Sequence, residues 1–182
     1  MVLQLNLSGN ELCGLDNDGC GSYNAEGITA IADALRVNGS LTVTNLLGNE
    51  LDVESAKMLA QVAKQKGISL CGILRDQTTV DYYRLHLHPP DAILLASDLS
   101  QAVVTGGLTT IDLSGNQLCG VWTDDDGDEH GNYTAEGITA IADALRINGS
   151  LTALNLSSNK LKDEGVSAVC EAIQSCSLTK ME

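Results

Sequence analysis

Apolar and polar positions recur along the chain in the pattern L-x-x-L-x-L-x-x-N-x-L. Alternate residues of a strand face one side, so the spaced aliphatic residues predict short, half-buried strands. The patterns begin at Val2, Leu41, Leu108 and Leu151, with a degenerate copy at Leu70 and an incomplete one from Leu178. Asparagine can bond backbone groups where the chain turns out of a strand, which predicts a structural asparagine ladder. Its members are Asn10, Asn49, Asn116 and Asn159.

Helical periodicity follows the strand patterns. Residues Ala25–Asn38 place apolar side chains at helical spacing, and Ala135–Asn148 repeat them. Ala25–Thr42 and Ala135–Thr152 differ only at Val37, which is Ile147 in the second copy. Further helices are predicted over Glu54–Lys66, Asp91–Val104 and Glu164–Ser175.

A strand and a helix that alternate in one direction predict a right-handed parallel coil. The text AEGITAIADALR, followed by SLTALNLSSNKL, resembles leucine-rich repeats of the ribonuclease-inhibitor-like subclass. That subclass includes the repeats of NOD-like receptors and of the Ran GTPase-activating protein. The resemblance implies an α/β fold: a right-handed leucine-rich repeat solenoid in a horseshoe arc. A parallel β-sheet would line its concave side and α-helices its convex side.

The spacing of the patterns predicts a single domain over residues 1–182 with about five turns, which start near positions 2, 41, 70, 108 and 151. A partial turn would start at 178. Three turns are lengthened between strand and helix, by the insertions Glu11–Ser22, Leu74–Pro90 and Gln117–Asn132. Solenoid ends normally carry capping units, so a chain that starts and stops inside strand patterns is expected to be an excerpt of a longer array.

Composition and charge narrow the classes of partner. The chain has no Phe, one Trp and four Tyr, which predicts an aliphatic core, and a net charge of −14. This charge argues against nucleic acid and anionic membranes and favours a basic protein partner. No signal peptide or membrane-spanning run is evident, and the six cysteines are expected to be reduced, mostly buried thiols. We therefore expect a cytoplasmic protein.

The candidate partner-binding residues lie in the insertions. The outward strand positions are small and lack the Trp, Tyr and Arg that dominate binding hot spots. The aromatic residues lie in or beside the insertions, which also hold an acidic run, and the insertions would line one rim. Tyr23 and Tyr133 precede matching helices, which favours a packing role for these two. The remaining candidates are Tyr82, Tyr83, Trp122, Asp124, Asp125, Asp126, Asp128 and Glu129.

No metal site or cofactor is predicted. Clustered carboxylates suit calcium, and Asp124, Asp126 and Asp128 are minor candidates. However, an EF-hand register from Asp126 places Gly137 at the twelfth position, where Glu is required. The pair His86 and His88 lacks a third zinc ligand at a telling distance.

The sequence predicts a protein–protein interaction scaffold that binds through loops on the strand-to-helix rim. It holds no nucleophile with a paired base and no phosphate-binding glycine loop, so enzymatic activity is not predicted. One alternative is a regulator of a small GTPase, which the resemblance implies, although that family's contact residues cannot be matched here. The other is a cation-stabilised repeat module. The identity of the partner and the oligomeric state stay open.

Overall fold

The computed structural model describes residues 3–15, 20–124, 126–174 and 180–181, in which strands and helices alternate. The strands are β1 (Leu3–Asn6), β2 (Leu41–Asn45), β3 (Thr79–Asp81), β4 (Thr110–Asp112), β5 (Val121–Thr123), β6 (Glu129–Gly131), β7 (Ala153–Asn155) and β8 (Lys180–Met181). The six helices of the described residues are α1 (Glu26–Val37), α2 (Val53–Lys66), α3 (Pro89–Leu99), α4 (Ala102–Thr105), α5 (Glu136–Ile147) and α6 (Lys162–Ile173).

The strands that precede the helices are parallel. β1 pairs with β2, and β3, β4, β7 and β8 form a four-stranded sheet in that order. The register places Val80, Ile111 and Leu154 side by side, and all three are buried. Their flanking positions are more exposed, as strand alternation requires. β5 and β6 form a separate antiparallel hairpin.

The segment between α2 and α3 differs from the sequence expectation. Near Leu70 the chain makes only isolated bridges, from Ser69 and Cys71 to β2. The paired strand is β3, inside the segment Leu74–Pro90 that the sequence indicated as an insertion. Since this segment has a single buried aliphatic residue in its strand, Val80, the leucine pattern could not locate it.

The carboxylate of Asp98 in α3 fixes the Leu70 segment. It accepts hydrogen bonds from Ser69 Oγ at 2.7 Å, Leu70 N at 2.8 Å and Cys71 N at 3.1 Å. Burial raises the pKa of Asp98 to about 6, although these donors favour its charged form. A buried side chain therefore satisfies backbone donors that sheet pairing leaves without strand partners at this point.

The helices pack in chain order, α1 on α2, α2 on α3, α3 on α5 and α5 on α6. α3 lies between α2 and α5, and all its residues except Pro90 are buried. It ends at Leu99 and α4 starts at Ala102, where the sequence predicted one helix over Asp91–Val104.

The core is aliphatic, and three cysteines contribute to it. Its largest fully buried side chains are those of Ile28, Leu46, Leu59, Ile68, Leu70, Ile73, Leu87, Leu94, Leu95, Leu99, Leu108 and Ile111. Cys13, Cys71 and Cys119 are buried thiols, and burial raises the pKa of Cys119 to about 11. Cys176 lies outside the described residues. Among the helices described, none has the length and apolar composition needed to cross a membrane.

Candidate functional site

Buried asparagines connect successive turns where the strands end. Asn116 donates to Tyr82 O and Leu113 O at 2.8 Å each, and it accepts from Leu85 N at 3.0 Å and Leu87 N at 3.1 Å. Asn49 makes comparable bonds to Leu7 O, Leu46 O and Asn10 N, and Asn159 donates to Leu113 O and Leu156 O. The side chain of Asn10 is exposed and donates to Ser8 O at 3.1 Å. The register of β3 against β4 continues through the bonds from Tyr82 N to Asp112 O and from Arg84 N to Ser114 O. Extended by one residue it sets Leu85 against Asn116, so leucine stands there where the neighbouring copies of the pattern have asparagine.

The segment between β3 and α3 presents apolar side chains to solvent. Tyr83 and Leu85 are each 50% exposed. The Arg84 guanidinium lies 5.1 Å from the centre of the Tyr83 ring, a cation–π arrangement that orients this tyrosine. Arg84 and His86 have φ values of 51° and 54°, so the backbone turns twice through the left-handed region around Leu85.

Tyr82, a candidate contact residue in the sequence, faces inward instead. Its ring packs against the core, and its hydroxyl donates to Cys71 O at 2.5 Å. Burial raises the pKa of Tyr82 well above its usual value. The residue ties β3 to the preceding Leu70 segment and is not one of the exposed side chains of this region.

A polar chain crosses three turns beside this segment. Nδ1 of His88 lies 3.0 Å from Glu50 Oε2, and its Nε2 lies 2.8 Å from Gln117 Oε1. The Gln117 amide nitrogen is turned towards His86 Nδ1, at 3.4 Å. Both partners of His88 are therefore acceptors, which favours the doubly protonated ring. Burial opposes the charge, but the Glu50 carboxylate outweighs it, and the pKa of His88 is raised.

The β5–β6 hairpin presents Trp122 on the neighbouring turn. Trp122 is 41% exposed and stacks on His130, which is its cross-strand partner, with ring centres 5.7 Å apart. A Cβ at Gly131, where φ is 87°, would lie 2.8 Å from the Trp122 ring, so glycine is required there. Glu129 is bonded to Lys162 at the start of α6 at 2.8 Å, which fastens the hairpin to the next turn.

The acidic tip of the hairpin uses one carboxylate to close its own loop. Asp124 accepts from Asp126 N at 3.1 Å and Asp128 N at 2.9 Å, and its Oδ2 lies 2.6 Å from His130 Nε2. The hydrogen bond to His130 is the main cause of the lowered pKa of Asp124. Asp126, Asp128 and Glu129 are exposed, and Asp125 lies outside the described residues.

The described residues contain no group of three or more His, Cys, Asp or Glu side chains that could hold a metal ion. Asp124, Asp126 and Asp128, the minor calcium candidates, are therefore not brought together as ligands in this structure. The lone pairs of Asp124 face its own backbone and His130.

Sequence reasoning missed Leu85, Glu50 and the role of His88. Leu85 and Leu87 do carry a signal, since L-x-L there stands in register with N-x-L at Asn116. The signal is invisible until β3 is placed opposite β4. The contact between Glu50 and His88 joins residues 38 positions apart, and no local pattern indicates it.

Tyr23 contacts the start of α2, and Tyr133 makes the equivalent contact with the start of α6. Tyr23 OH lies 2.7 Å from Ser55 Oγ, and Tyr133 OH donates to Leu161 O at 2.7 Å and accepts from Gly165 N at 3.3 Å. Both side chains thus link one turn to the following one.

Comparison with known proteins identifies a repeat motif in the chain. Residues 148–170, which include β7 and Asn159, match the family described as Leucine Rich repeat. No curated protein matches the sequence. Among solved structures, the tropomodulin C-terminal domain of Caenorhabditis elegans is similar, with a TM-score of 0.44 and 14% identity, over 95% of this chain and 83% of that chain.

Proposed function

We propose that the chain is a protein-interaction scaffold built as a right-handed leucine-rich repeat solenoid of the ribonuclease-inhibitor-like type. The repeat motif at residues 148–170 supports this proposal, as do the parallel strands and the helices that pack in chain order. In such an array each turn contacts its neighbours, so the framework is rigid and the connecting segments are free to bind.

The observation that carries the proposal is a set of exposed apolar side chains on two neighbouring strand-to-helix segments. We name this set, together with the acidic residues beside it, the rim surface. It comprises Tyr83, Leu85, Trp122, Asp126, Asp128 and Glu129, all of them exposed. Trp and Tyr are favoured at binding hot spots because they bury a large area at a low cost in conformational entropy.

Hydrogen bonds within the chain hold the backbone of the rim surface in place without a partner. Asn116 holds the segment around Leu85 through two backbone N–H groups, and Asp124 closes the hairpin. A site ordered before binding loses little conformational entropy when the partner arrives. This is the physical reason for placing contact residues on these segments.

The charge of the rim surface favours a basic partner. The hairpin tip carries exposed carboxylates, and the whole chain has a net charge of −14. Electrostatic attraction of this kind raises the rate of association and is weakened by salt. We therefore propose a protein partner that presents Lys or Arg side chains around an apolar contact.

Affinity capture from a lysate of the source tests the proposal. Three baits are compared: the wild-type protein, the double variant Trp122→Ala with Leu85→Ser, and the control Ile147→Ser, whose side chain is 70% exposed at the end of α5. Proteins retained by the wild type and the control but lost with the double variant would support the rim surface. Equal capture by all three baits would overturn it.

No observation in the described residues favours regulation of a small GTPase or stabilisation by a cation over this function. The geometry of Asp124 counts against the cation, because its oxygens already accept hydrogen bonds from the loop that would have to bind it.

A further inference from the structure

Helices α1 and α5 have the same sequence but different environments. Both read EGITAIADALR and differ only in their last residue, Val37 or Ile147, which is exposed in each. In α5, Gly137, Ile141 and Ala144 are buried, whereas in α1 their counterparts Gly27 and Ala34 are exposed and Ile31 is partly buried. One face of α1 is therefore uncovered.

In α5 the corresponding face is covered by α3. A Cβ at Gly137 would lie 2.9 Å from both Cα and O of Pro89, so the first turn of α3 rests directly on this glycine. It would also lie 2.8 Å from Leu118 O. At Gly27 the described residues supply only the equivalent of the second contact, Leu12 O at 2.9 Å. Within the part of the chain that the structure describes, no residue takes against α1 the place that Pro89 takes against α5.

Helices α2 and α6 occupy equivalent places after α1 and α5, and they too differ in which face is covered. The tyrosine contacts described above, Tyr23 with Ser55 and Tyr133 with Gly165, set the two helices in register. In α2, which packs against α3, the small residues Ala56, Ala60 and Ala63 are buried. Their counterparts in α6, Val166, Cys170 and Ile173, are exposed.

Helices α1 and α5 are one type of helix, and α2 and α6, which follow them, are a second type. The packing order is α1, α2, α3, α5 and α6. The exposed face of α1 corresponds to the face of α5 that α3 covers, and the exposed face of α6 corresponds to the face of α2 that α3 covers. Among the major helix contacts of the described residues, α2 packs against α1 and α3 but not against α5, and α6 packs against α5. Helix α2 reaches α5 through an exposed ion pair, Lys57 Nζ to Glu136 Oε1 at 3.7 Å, while α3 packs against both helices. A packed contact between the α6 end of one copy and the α1 end of another therefore has no counterpart among the major helix contacts of the described residues.

We propose that the exposed face of α1, formed by Gly27, Ala30, Ile31 and Ala34, is a docking surface for a strand–helix turn with the chemistry of the α3 turn. The docked helix would begin with proline, whose backbone approaches Gly27, and would present an aliphatic face to Ile31 and Ala34. This surface is separate from the rim surface, and the inference does not depend on the proposed function.

A chain extended by one turn tests the proposal. Residues 70–107 are placed directly before residue 2. This junction keeps the natural spacing, because residues 2 and 108 are the first positions of equivalent strand patterns. Amide hydrogen exchange is then measured at α1 and α5 in the natural and extended chains. The expected result is slower exchange of the α1 amides in the extended chain, by about tenfold or more, with α5 unchanged, since added burial raises the free energy of local opening.

Two variants distinguish docking from general stabilisation. Ala34→Glu is expected to leave the natural chain unaffected, because Ala34 is exposed there, and to abolish the slower exchange in the extended chain, because its copy Ala144 is only 4% exposed. Thr29→Glu is the matched control, since Thr29 and its copy Thr139 are both exposed, and it is expected to have no effect in either chain.

Three results would overturn the proposal. The first is an added turn that leaves the exchange of α1 unchanged while α5 keeps its protection. The second is an equal effect of Ala34→Glu and Thr29→Glu in the extended chain. The third is self-association of the natural chain that Ala34→Glu abolishes, which sedimentation would detect and which would assign the face to a second copy.

Discussion

Asn116 and Asn10 occupy the same position of the repeat pattern but have different surroundings. Asn116 is 3% exposed and its side chain bonds four backbone groups, whereas the Asn10 side chain is exposed and donates to Ser8 O. The pattern predicts which residue stands at the end of each strand. It cannot predict how many neighbours cover it, because that depends on the turns on either side.

We expect Asn116→Ala to lower the free energy of unfolding by about 3 kcal/mol, because buried backbone groups lose their partners and each costs roughly 1–3 kcal/mol. Asn10→Ala is the matched control, with an expected loss of less than about 1 kcal/mol, since water can replace the bond that its exposed side chain makes to Ser8 O. Urea denaturation of both variants measures the difference. Equal losses would show that the asparagine position contributes the same whether covered or exposed, against this account.

The pair His88 and Glu50 makes stability depend on pH. The pKa of His88 is raised in the folded protein, so the folded state holds the proton more tightly than the unfolded state. The contribution of the pair is therefore fully present below the unfolded pKa of about 6.5 and is lost as pH rises through the folded pKa.

We expect Glu50→Gln to remove this step. The difference in unfolding free energy between the wild-type protein and the variant should be largest near pH 6 and shrink towards pH 9. Buried Asp98 also titrates near this range, with a pKa of about 6, so the subtraction is needed to isolate His88. Glu54→Gln, an exposed carboxylate in α2, serves as the control and should keep the wild-type profile. A constant difference across the range would contradict the assignment.

At the level of elements, literal repetition made most of the fold predictable. The predicted helices over Ala25–Asn38 and Ala135–Asn148 correspond to α1 and α5, and the strand patterns at Leu41, Leu108 and Leu151 contain β2, β4 and β7. β3 and the β5–β6 hairpin were not predicted. β3 offers one buried aliphatic residue, and the hairpin depends on cross-strand contacts of Trp122 with His130. Such contacts exist only once the chain has turned.

The hairpin depends on Asp124 more than on the rest of the acidic run. Asp124→Ala removes the acceptor of two backbone N–H groups and of His130, so we expect faster amide exchange over 121–131 with little change in global stability. Asp126→Ala is the matched control, because Asp126 contributes its backbone N–H to the loop and its side chain is exposed, so exchange there should stay as in the wild type. Equal exchange in both variants would refute the closing role of Asp124.

In the whole molecule, aliphatic side chains form the core and acidic side chains dominate the charge of the chain. The core of Leu, Ile, Val and Ala fixes the turns, while the aromatic residues Trp122 and Tyr83 remain available at the rim surface. The sequence indicated this division, because the aromatics lie in the insertions. It could not separate Tyr82 from Tyr83, since neighbouring residues differ in exposure only after β3 is formed.

The central claim is that a protein partner binds the rim surface. The most direct test is the dissociation constant of the captured partner for the wild-type protein, Trp122→Ala and the control Ile147→Ser. If Trp122 is a contact residue, we expect binding at least about tenfold weaker for Trp122→Ala, which corresponds to about 1.4 kcal/mol, and unchanged binding for Ile147→Ser. Dissociation constants for the wild type and Trp122→Ala that agree within about twofold would contradict it.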